Sequence, residues 1–435
     1  MAVRHLAFFR EASTEREGTT EYQTLLAGAL VLRLLDKWRS RLEGDRDLKF
    51  HEFVAVKRAV EAIPDSPVRR ILGDLVHTIS AFTDGSADAR VPKLIAYAQL
   101  LEYDARYEAS ADVYLTAIEL TSGDKELVPL CYQRAGACLR RLGVIDRAEA
   151  LYHEGLTVAV ENADQFWSLR LRVSLAMLQH HKGDLPEAER QLDAVITEAD
   201  AVGSPVAAEA RHERGQVAYA RDQDALAAEY YYAAMKMYVD PQKKLRAMHD
   251  LASALVDLGH LDCARTALSA IYNSPDSESE TGHSAALNLM RIAVLVGEQV
   301  KFDRLRRELA DQRLTGHQRA HYHVFVGQGY LEFGEPGKAR EEFAQALIVA
   351  EQHRLYKVLI EADALLKATP EVRAPTWKDS LPHPGLLIIL DEIRHRRAEF
   401  AEATEQPPPR DGRSAVTAGA DTVAAPAIGS GRTRG

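Results

Sequence analysis

The sequence has 435 residues, of which 46% are apolar, with a formal net charge of −10 and three cysteines. This apolar fraction is ordinary for a folded protein and is enough to form a continuous core. The acidic charge argues against nucleic acid as a partner, because phosphate binding needs concentrated Lys and Arg. Cys131, Cys138 and Cys263 are too few for a disulfide framework, so a reducing, cytoplasmic location is expected.

The sequence also predicts no membrane association. Its longest apolar stretches, 25–32 and 385–390, are much shorter than the ~18–20 residues that a membrane-spanning helix needs. The N-terminus turns charged within a few residues and shows no secretory hydrophobic region.

The first part of the chain predicts a flexible N-terminus over 1–20 and a helical cap over 21–86. From Leu25 to Trp38 apolar side chains recur at helical spacing, which predicts a helix over 21–42. Because the open end of a stacked array must be covered, we expect these helices to form that cover. Two further cap helices are predicted over 49–62 and 67–83.

A degenerate repeat occupies residues 87–366. Its copies align on the position where the two helices of a hairpin cross, in steps of 37 to 40 residues. A close crossing favours a small side chain, because packed backbones leave little room there. The residues at this anchor position are Ser110, Ala148, Ala188, Ala227, Ala264, Phe302 and Ala339.

Two other positions repeat in phase with the anchors. Five residues upstream lies the tight turn between the two helices, where Gly or Asp permits a left-handed backbone. These turn residues are Gly143, Gly183, Asp222, Gly259, Gly297 and Gly334. Twelve residues upstream of the anchors, the first helix packs closest to the second. The small residues at this packing position are Ala98, Gly136, Ala176, Gly215, Ala252 and Gly327.

The last copy carries the most complete motif. Residues 323–346 read His-x-x-Val-Gly-x-x-Tyr-x-x-x-Gly-x-x-x-x-Ala-x-x-x-Phe-x-x-Ala, which resembles the tetratricopeptide repeat family. The resemblance implies an all-α, right-handed α-solenoid of antiparallel helix hairpins, with about seven repeats and helical caps. The long, degenerate repeats are also similar to the sensor and adaptor arrays of bacterial transcriptional and signalling regulators.

Two departures from the family pattern affect the expected shape. The period exceeds the usual ~34 residues, so the helices or the turns between repeats are longer. The copy at 284–312 has Phe302 at its anchor, which predicts a distorted repeat or a hinge.

The C-terminal part predicts a capping segment over 367–405 and a disordered tail over 406–435. Within the cap, apolar residues from Leu386 to Ile393 predict a helix over 385–403. The tail is rich in Pro, Ala, Gly, Ser and Thr and has no apolar pattern, so it cannot bury enough surface to order itself.

The sequence shows no catalytic constellation, no metal site and no cofactor motif. Phosphate loops and nucleophile elbows are absent. Gly327-Gln328-Gly329 begins like a dinucleotide fingerprint, but it lies inside a predicted helix with Gly327 at the packing position. Cys131 and Cys138 are two helical turns apart, which favours buried packing over a zinc site.

In the family that the repeats resemble, the first helix of each hairpin lines a concave groove. The groove positions counted from the packing residues hold few acids, so a neutral-to-basic inner face is expected. Polar residues also belong at any solvated helix position, and the same residues fit that simpler explanation. The candidate binding residues are Gln133, Arg140, Arg170, His180, His212, Gln216, Tyr219, Arg246, His249, Arg291, His321 and Gln328.

These features predict a non-enzymatic scaffold or adaptor that holds a protein or peptide segment, acidic in character, in its groove. The alternative is a regulator whose repeats sense a ligand and act through the N-terminal helices. The basic residues there that hint at DNA contact are Arg33, Lys37, Arg39 and Arg41. An enzyme with an unfamiliar site is a third interpretation. A homo-oligomer is compatible with each of them.

Overall fold

All regular secondary structure among the described residues is helical. A computed structural model describes residues 4–42, 50–80, 90–121, 127–274, 279–353, 355–367 and 384–395. These residues form twenty helices and no strand, which confirms the predicted all-α class. Across the same ranges, no helix is both long and apolar enough to cross a bilayer.

Four helices precede the repeats: α1 Leu6–Ala12, α2 Thr20–Leu42, α3 Phe50–Glu61 and α4 Pro67–Ser80. Seven hairpins follow, each with a first and a second helix. They are α5 Arg90–Tyr103 with α6 Tyr107–Leu120, α7 Leu127–Arg141 with α8 Ile145–Glu161, α9 Gln165–Lys182 with α10 Leu185–Ala201, α11 Val206–Ala220 with α12 Asp224–Met237, α13 Pro241–Asp257 with α14 Leu261–Tyr272, α15 Glu280–Leu295 with α16 Gln299–Ala310, and α17 Gly316–Glu332 with α18 Pro336–Gln352. The last two helices are α19 Tyr356–Lys367 and α20 Pro384–His395.

The hairpins stack into a two-layered solenoid. Each hairpin packs on the next, and first helices also contact the first helices of neighbouring hairpins. α7, α9 and α11 do so in turn, as do α13, α15 and α17, and α19 continues this row by contacting α17. The array therefore curves towards its first helices, whose solvent-facing side we call the inner face. This arrangement is the antiparallel helix-hairpin solenoid that the repeat pattern predicts, whereas its right-handed sense stays a prediction.

The anchors and packing positions lie where the two layers meet. All seven anchor residues are fully or almost fully buried, including Ala148, Ala188, Ala227, Ala264 and Ala339. At three glycines an added Cβ would collide with an aromatic ring four residues after the anchor, at 2.4 to 2.6 Å. The colliding pairs are Gly136 with Tyr152, Gly215 with Tyr231, and Gly327 with Phe343. Glycine at these positions thus makes room for a ring in the second helix.

The turns between the helices have the predicted backbone. All six predicted turn residues have a positive φ, from 58° at Asp222 to 83° at Gly183. The left-handed conformation ends the first helix and lets the chain reverse within a few residues. Asp222 adopts it without being glycine, which is typical of a short polar side chain.

The atypical copy with Phe302 at its anchor is fully packed. The Phe302 ring is buried and lies against Gly329 of α17, where an added Cβ would come within 2.3 Å of it. Phe333 adds a tilted ring contact at 5.4 Å between centroids. The large anchor is therefore accommodated by a glycine in the following hairpin. α16 nevertheless contacts α17 less extensively than other second helices contact the next hairpin, so a hinge at this junction stays a prediction.

The sequence predicts a flexible N-terminus over 1–20, but the structure orders residues 4–19. α1 packs against α2 and α6, and Phe8 is fully buried beside Tyr97. A helix of only seven residues is too short to show clear periodicity, which is why its sequence gives little sign of this packing.

His5 fastens this segment to the rest of the protein. Its fully buried ring lies between Asp36 and Asp112, with 3.1 Å from each ring nitrogen to a carboxylate oxygen. Burial lowers the pKa of His5, but the hydrogen bonds with both carboxylates outweigh this effect and raise it to about 9. The ring is therefore charged at neutral pH and pairs with both acids.

The final helix does not cover the end of the array. α20 lies on the second-helix layer, between α12 and α14, where its residues Leu386, Ile389, Leu390 and Ile393 are buried. The capping role predicted for 367–405 is therefore not the role of this helix. The predicted tail, 406–435, lies outside the described residues.

Candidate functional site

The twelve candidate binding residues all lie on first helices, from α7 to α17. His212 is buried and Arg246 is exposed, while the other ten are half-buried. Five of the twelve meet around one cavity of about 340 Å³, which opens on the inner face between α11 and α19. These five are Gln216, Tyr219, His249, Arg291 and His321. The other seven do not line it, and they are Gln133, Arg140, Arg170, His180, His212, Arg246 and Gln328.

The base of the cavity is organised around Asp250, which sequence analysis missed. One of its carboxylate oxygens lies 2.8 Å from His212 Nε2 and accepts a hydrogen bond of 2.8 Å from Gln216 Nε2. The other lies 3.0 Å from His249 Nδ1. Burial would raise the pKa of Asp250, but the hydrogen bonds from His212 and His249 hold it well below the usual range. Asp250 is therefore a charged hub that joins α11 to α13.

A second acid, Asp257, holds two residues that line the cavity. Arg291 donates a hydrogen bond of 2.8 Å to it, and the Tyr219 hydroxyl also donates to it. Lys357 of α19 lies over the Tyr219 ring, 5.6 Å from its centroid. Burial raises the pKa of the neighbouring Glu361, although Arg291 and Lys357 oppose this increase.

Amide and hydroxyl groups also line the cavity. Asn288 Nδ2 lies 3.1 Å from His249 Nε2 and donates a hydrogen bond of 3.0 Å to Ser253 Oγ. Gln318 Nε2 donates 2.9 Å to Ser284 Oγ. Asn288 and Gln318 are almost fully buried, so these contacts hold their side chains in place.

The N-terminal half of the inner face is paired in the same manner. Arg170 lies 3.1 Å from Glu209, which also binds Lys243 at 2.8 Å. Gln133 donates 3.2 Å to Ser174. Arg140 approaches the ring of His181 to 2.9 Å. These side chains therefore bind neighbouring helices.

The face is consequently less basic than the sequence analysis expects. Asp250 and Asp257 lie two residues before and five after the packing residue Ala252, and neither is at a position that the sequence analysis assigns to the groove. Arg246 also lies near acids: partial desolvation of its guanidinium would lower its pKa, but the charges of Glu213 and Asp250 raise it.

His321 is the cavity residue that is least satisfied by the protein. Its Nδ1 is buried and has no hydrogen-bond partner among the described residues. The ring of His317 lies 4.5 Å away, centroid to centroid. Burial, together with the charges of His317, Arg291 and Lys357, lowers the pKa of His321 to about 3. His321 therefore offers a neutral imidazole to a ligand at neutral pH.

No protein-family model and no curated protein matches the sequence. Similar solved structures include a Rap protein complexed with competence and sporulation factor, at 11% identity and TM-score 0.43, covering 88% of this chain and 100% of that one. The quorum sensor NprR from B. thuringiensis has 15% identity and TM-score 0.37, with 82% and 91% covered. A signal transduction ATPase with a tetratricopeptide repeat sensor from Pyrococcus horikoshii has 14% identity and TM-score 0.41, with 94% of this chain and 60% of that chain covered.

The sequence held only part of the signal for this site. Asp250 and Asp257 are seven residues apart on α13, two helical turns along one face, which is the spacing of a shared surface. Lys357 and Glu361 belong to α19, which ends near the boundary of the predicted array. The sequence analysis names no groove residue on this helix. Within the described ranges no cluster of His, Cys, Asp and Glu is arranged to hold a metal ion.

We expect His321 to make the protein less stable in mild acid. Between about pH 6.5 and 3 the unfolded chain binds a proton at this position while the folded chain does not, so stability falls as the pH decreases. From pH 7 to pH 5 the loss due to this residue should be about 1–2 kcal/mol. His321→Phe should therefore reduce the drop in unfolding midpoint between these two pH values, whereas His395→Phe at an exposed position should leave it unchanged. An equal drop in both variants would show that His321 is not buried in its neutral form.

Proposed function

We propose that this chain is a non-enzymatic binding module that holds an extended peptide segment along its inner face, centred on the cavity between α11 and α19. The observation that carries this proposal is the lining of that cavity by fixed amides and hydroxyls. An extended peptide exposes unpaired N–H and C=O groups, and side-chain amides can pair with both.

Asn288 is the best-placed group for this role. Both of its described hydrogen bonds use Nδ2, so its carbonyl oxygen takes part in neither of them. Because His249 and Ser253 already fix the side chain, little conformational entropy is lost when a ligand binds. His321 adds an unpartnered ring nitrogen in the same cavity.

The pairing of the ionisable groups supports a non-enzymatic role. Asp250 is held charged by two histidines, and Asp257 is bound by Arg291 and Tyr219. A general acid or base needs a pKa near the working pH, whereas Asp250 has a pKa far below it. These groups position neighbouring helices, which is the task of a scaffold.

The charge balance of the cavity refines the expected partner. Arg291 and Lys357 lie around the same opening as Asp250 and Glu361, and Arg291 also pairs with Asp257. We therefore propose a peptide without a large net charge, recognised through its backbone and shape, in place of the acidic segment that sequence analysis favours. Its binding should depend only weakly on salt, because little net charge is neutralised.

A display library of random 12-residue peptides, selected on the full chain, tests this function. The affinity of selected peptides should fall at least about tenfold, or ~1.4 kcal/mol, in Asn288→Trp, because the indole fills the cavity. The matched control is Gln328→Trp, which lies on the same face outside the cavity and should bind normally. If no peptide is selected, or if Asn288→Trp binds as well as the wild type, the proposed site is wrong.

The alternative, a regulator that contacts DNA through its N-terminal helices, is not favoured by the positions of the basic residues. Arg33 lies over the Phe9 ring, 4.6 Å from its centroid. Lys37 pairs with Glu52 at 2.5 Å, and Arg39 binds Glu119. The N-terminal helices also share one apolar core with the first hairpins. They are therefore built into the array.

A further inference from the structure

The second-helix layer carries an occupied groove that the peptide-binding proposal does not use. α20 lies in this groove between α12 and α14. Its buried residues, Leu386, Ile389, Leu390 and Ile393, follow the spacing i, i+3, i+4, i+7 of an amphipathic helix. The opposite side exposes two large apolar residues, Leu387 and Ile388, which are 55% and 67% accessible.

One acid fixes the orientation of α20 in the groove. Glu392 accepts hydrogen bonds from the Tyr232 hydroxyl and from Lys236 Nζ, the latter at 2.7 Å. On the α14 side, the Cys263 thiol donates to the backbone carbonyl of Leu390, with Sγ 3.8 Å from the oxygen. The groove thus recognises an apolar stripe together with a carboxylate six residues after its first member.

The contact has the character of a binding interaction. Tyr232 and Glu392 are 160 residues apart in sequence. α12 and α14 also pack against α11, α13 and α15, so both helices have packing partners besides α20. A helix of 12 residues is marginal in water when it is alone, so α20 depends on the groove for its own stability.

We propose that the groove between α12 and α14 is a docking site for an amphipathic helix of a partner protein, and that α20 occupies it as an internal competitor. The partner helix carries apolar residues at i, i+3, i+4 and i+7 and an acid at i+6, which matches the groove of apolar side chains beside Lys236 and Tyr232. To bind, it displaces α20. This site lies on the other layer from the inner face and is independent of the peptide proposed there.

Cys263 provides a direct test of displacement. It is 3% accessible in the full chain, and α20 covers it, whereas Cys131 and Cys138 are fully buried within other hairpins. In the full-length variant with Leu390→Asp and Ile393→Asp, α20 should leave the groove. The Cys263 thiol should then react with a maleimide at least about tenfold faster, because a buried thiol is inert. The matched control, Leu387→Asp with Ile388→Asp on the exposed side, should react at the wild-type rate.

A synthetic peptide of residues 384–395 then tests whether the empty groove accepts a helix from another molecule. It should bind the Leu390→Asp, Ile393→Asp variant and protect Cys263 again, while a peptide with Leu390→Asp should do neither. The wild type should bind it at least about tenfold more weakly, because tethered α20 competes at an effective concentration near ~1 mM.

Three results would overturn the proposal. The first is slow reaction of Cys263 in the double variant, which would mean that α20 does not leave the groove. The second is failure of the peptide to bind the opened groove, which would mean that α20 is ordinary packing. The third is a loss of helical content well beyond one helix in the double variant, together with a milder Glu392→Gln variant that binds the peptide no better than the wild type does.

Discussion

Gly327→Ala should destabilise the protein, although alanine normally favours a helix by about 1 kcal/mol over glycine. The added Cβ would lie 2.5 Å from Cε1 of Phe343, whose ring is buried in the facing helix. Because neither backbone can retreat in a packed crossing, we expect a net loss of about 1–3 kcal/mol. Urea unfolding followed by circular dichroism measures this loss.

Two controls isolate the crossing from the helix propensity. Gly73 lies inside α4 with no atom within 4 Å of an added Cβ, so Gly73→Ala should stabilise by about 0.5–1 kcal/mol. Adding Phe343→Leu to Gly327→Ala should recover part of the loss. The chain uses that combination at Ala176 with Leu192. The expected effects at the two glycines have opposite signs, so a stabilising Gly327→Ala would refute the tight crossing.

The repeat architecture could be predicted because a helix crossing restricts residue size at one position in each copy. Small residues at Gly136, Gly215 and Gly327 and left-handed turns such as Gly183 result from local geometry, so they repeat visibly in sequence. The compensation of Phe302 by Gly329 could not be predicted in this way. It joins two different hairpins, and a single sequence does not show which side chain of one meets which glycine of the other.

The site was only partly predictable for a related reason. Groove positions identify the helices that face inward, and five of those residues surround the cavity. Periodicity does not show which charges meet across helices, however. Asp250 binds residues of α11 and α13 at once, and its position between the counted groove positions concealed it.

The apolar pattern of α20 predicted a helix correctly, but the surface expected to cover its apolar face was wrong. An i, i+3, i+4, i+7 stripe states that a helix must bury one face, and it does not identify the surface that covers that face. The sequence neighbours of α20 suggested the end of the array. The observed groove lies between α12 and α14, and α20 contacts both of these helices.

Asp250→Leu should cause one of the largest losses of stability available in this chain, about 3–5 kcal/mol, because removing one member of a buried charged network leaves the others without partners. His212, Gln216 and His249 would all lose the carboxylate that they share. Glu341→Leu on the exposed surface of α18 is the matched control and should change the free energy of unfolding by no more than about 0.5 kcal/mol.

A double-mutant cycle, together with the pH dependence of the free energy of unfolding, distinguishes this network from a simple packing defect. His212→Leu should cost less in the Asp250→Leu background than in the wild type, since its main partner is already gone. The low pKa of Asp250 contributes stability that is present above about pH 3.8 and is lost as the pH falls further, because the unfolded carboxylate is protonated first. The difference between wild type and Asp250→Leu should therefore narrow below that pH. Additive losses and a difference that is independent of pH would mean that Asp250 only fills space, and the inner face would then have no charged hub to position Gln216 and His249 beside the cavity.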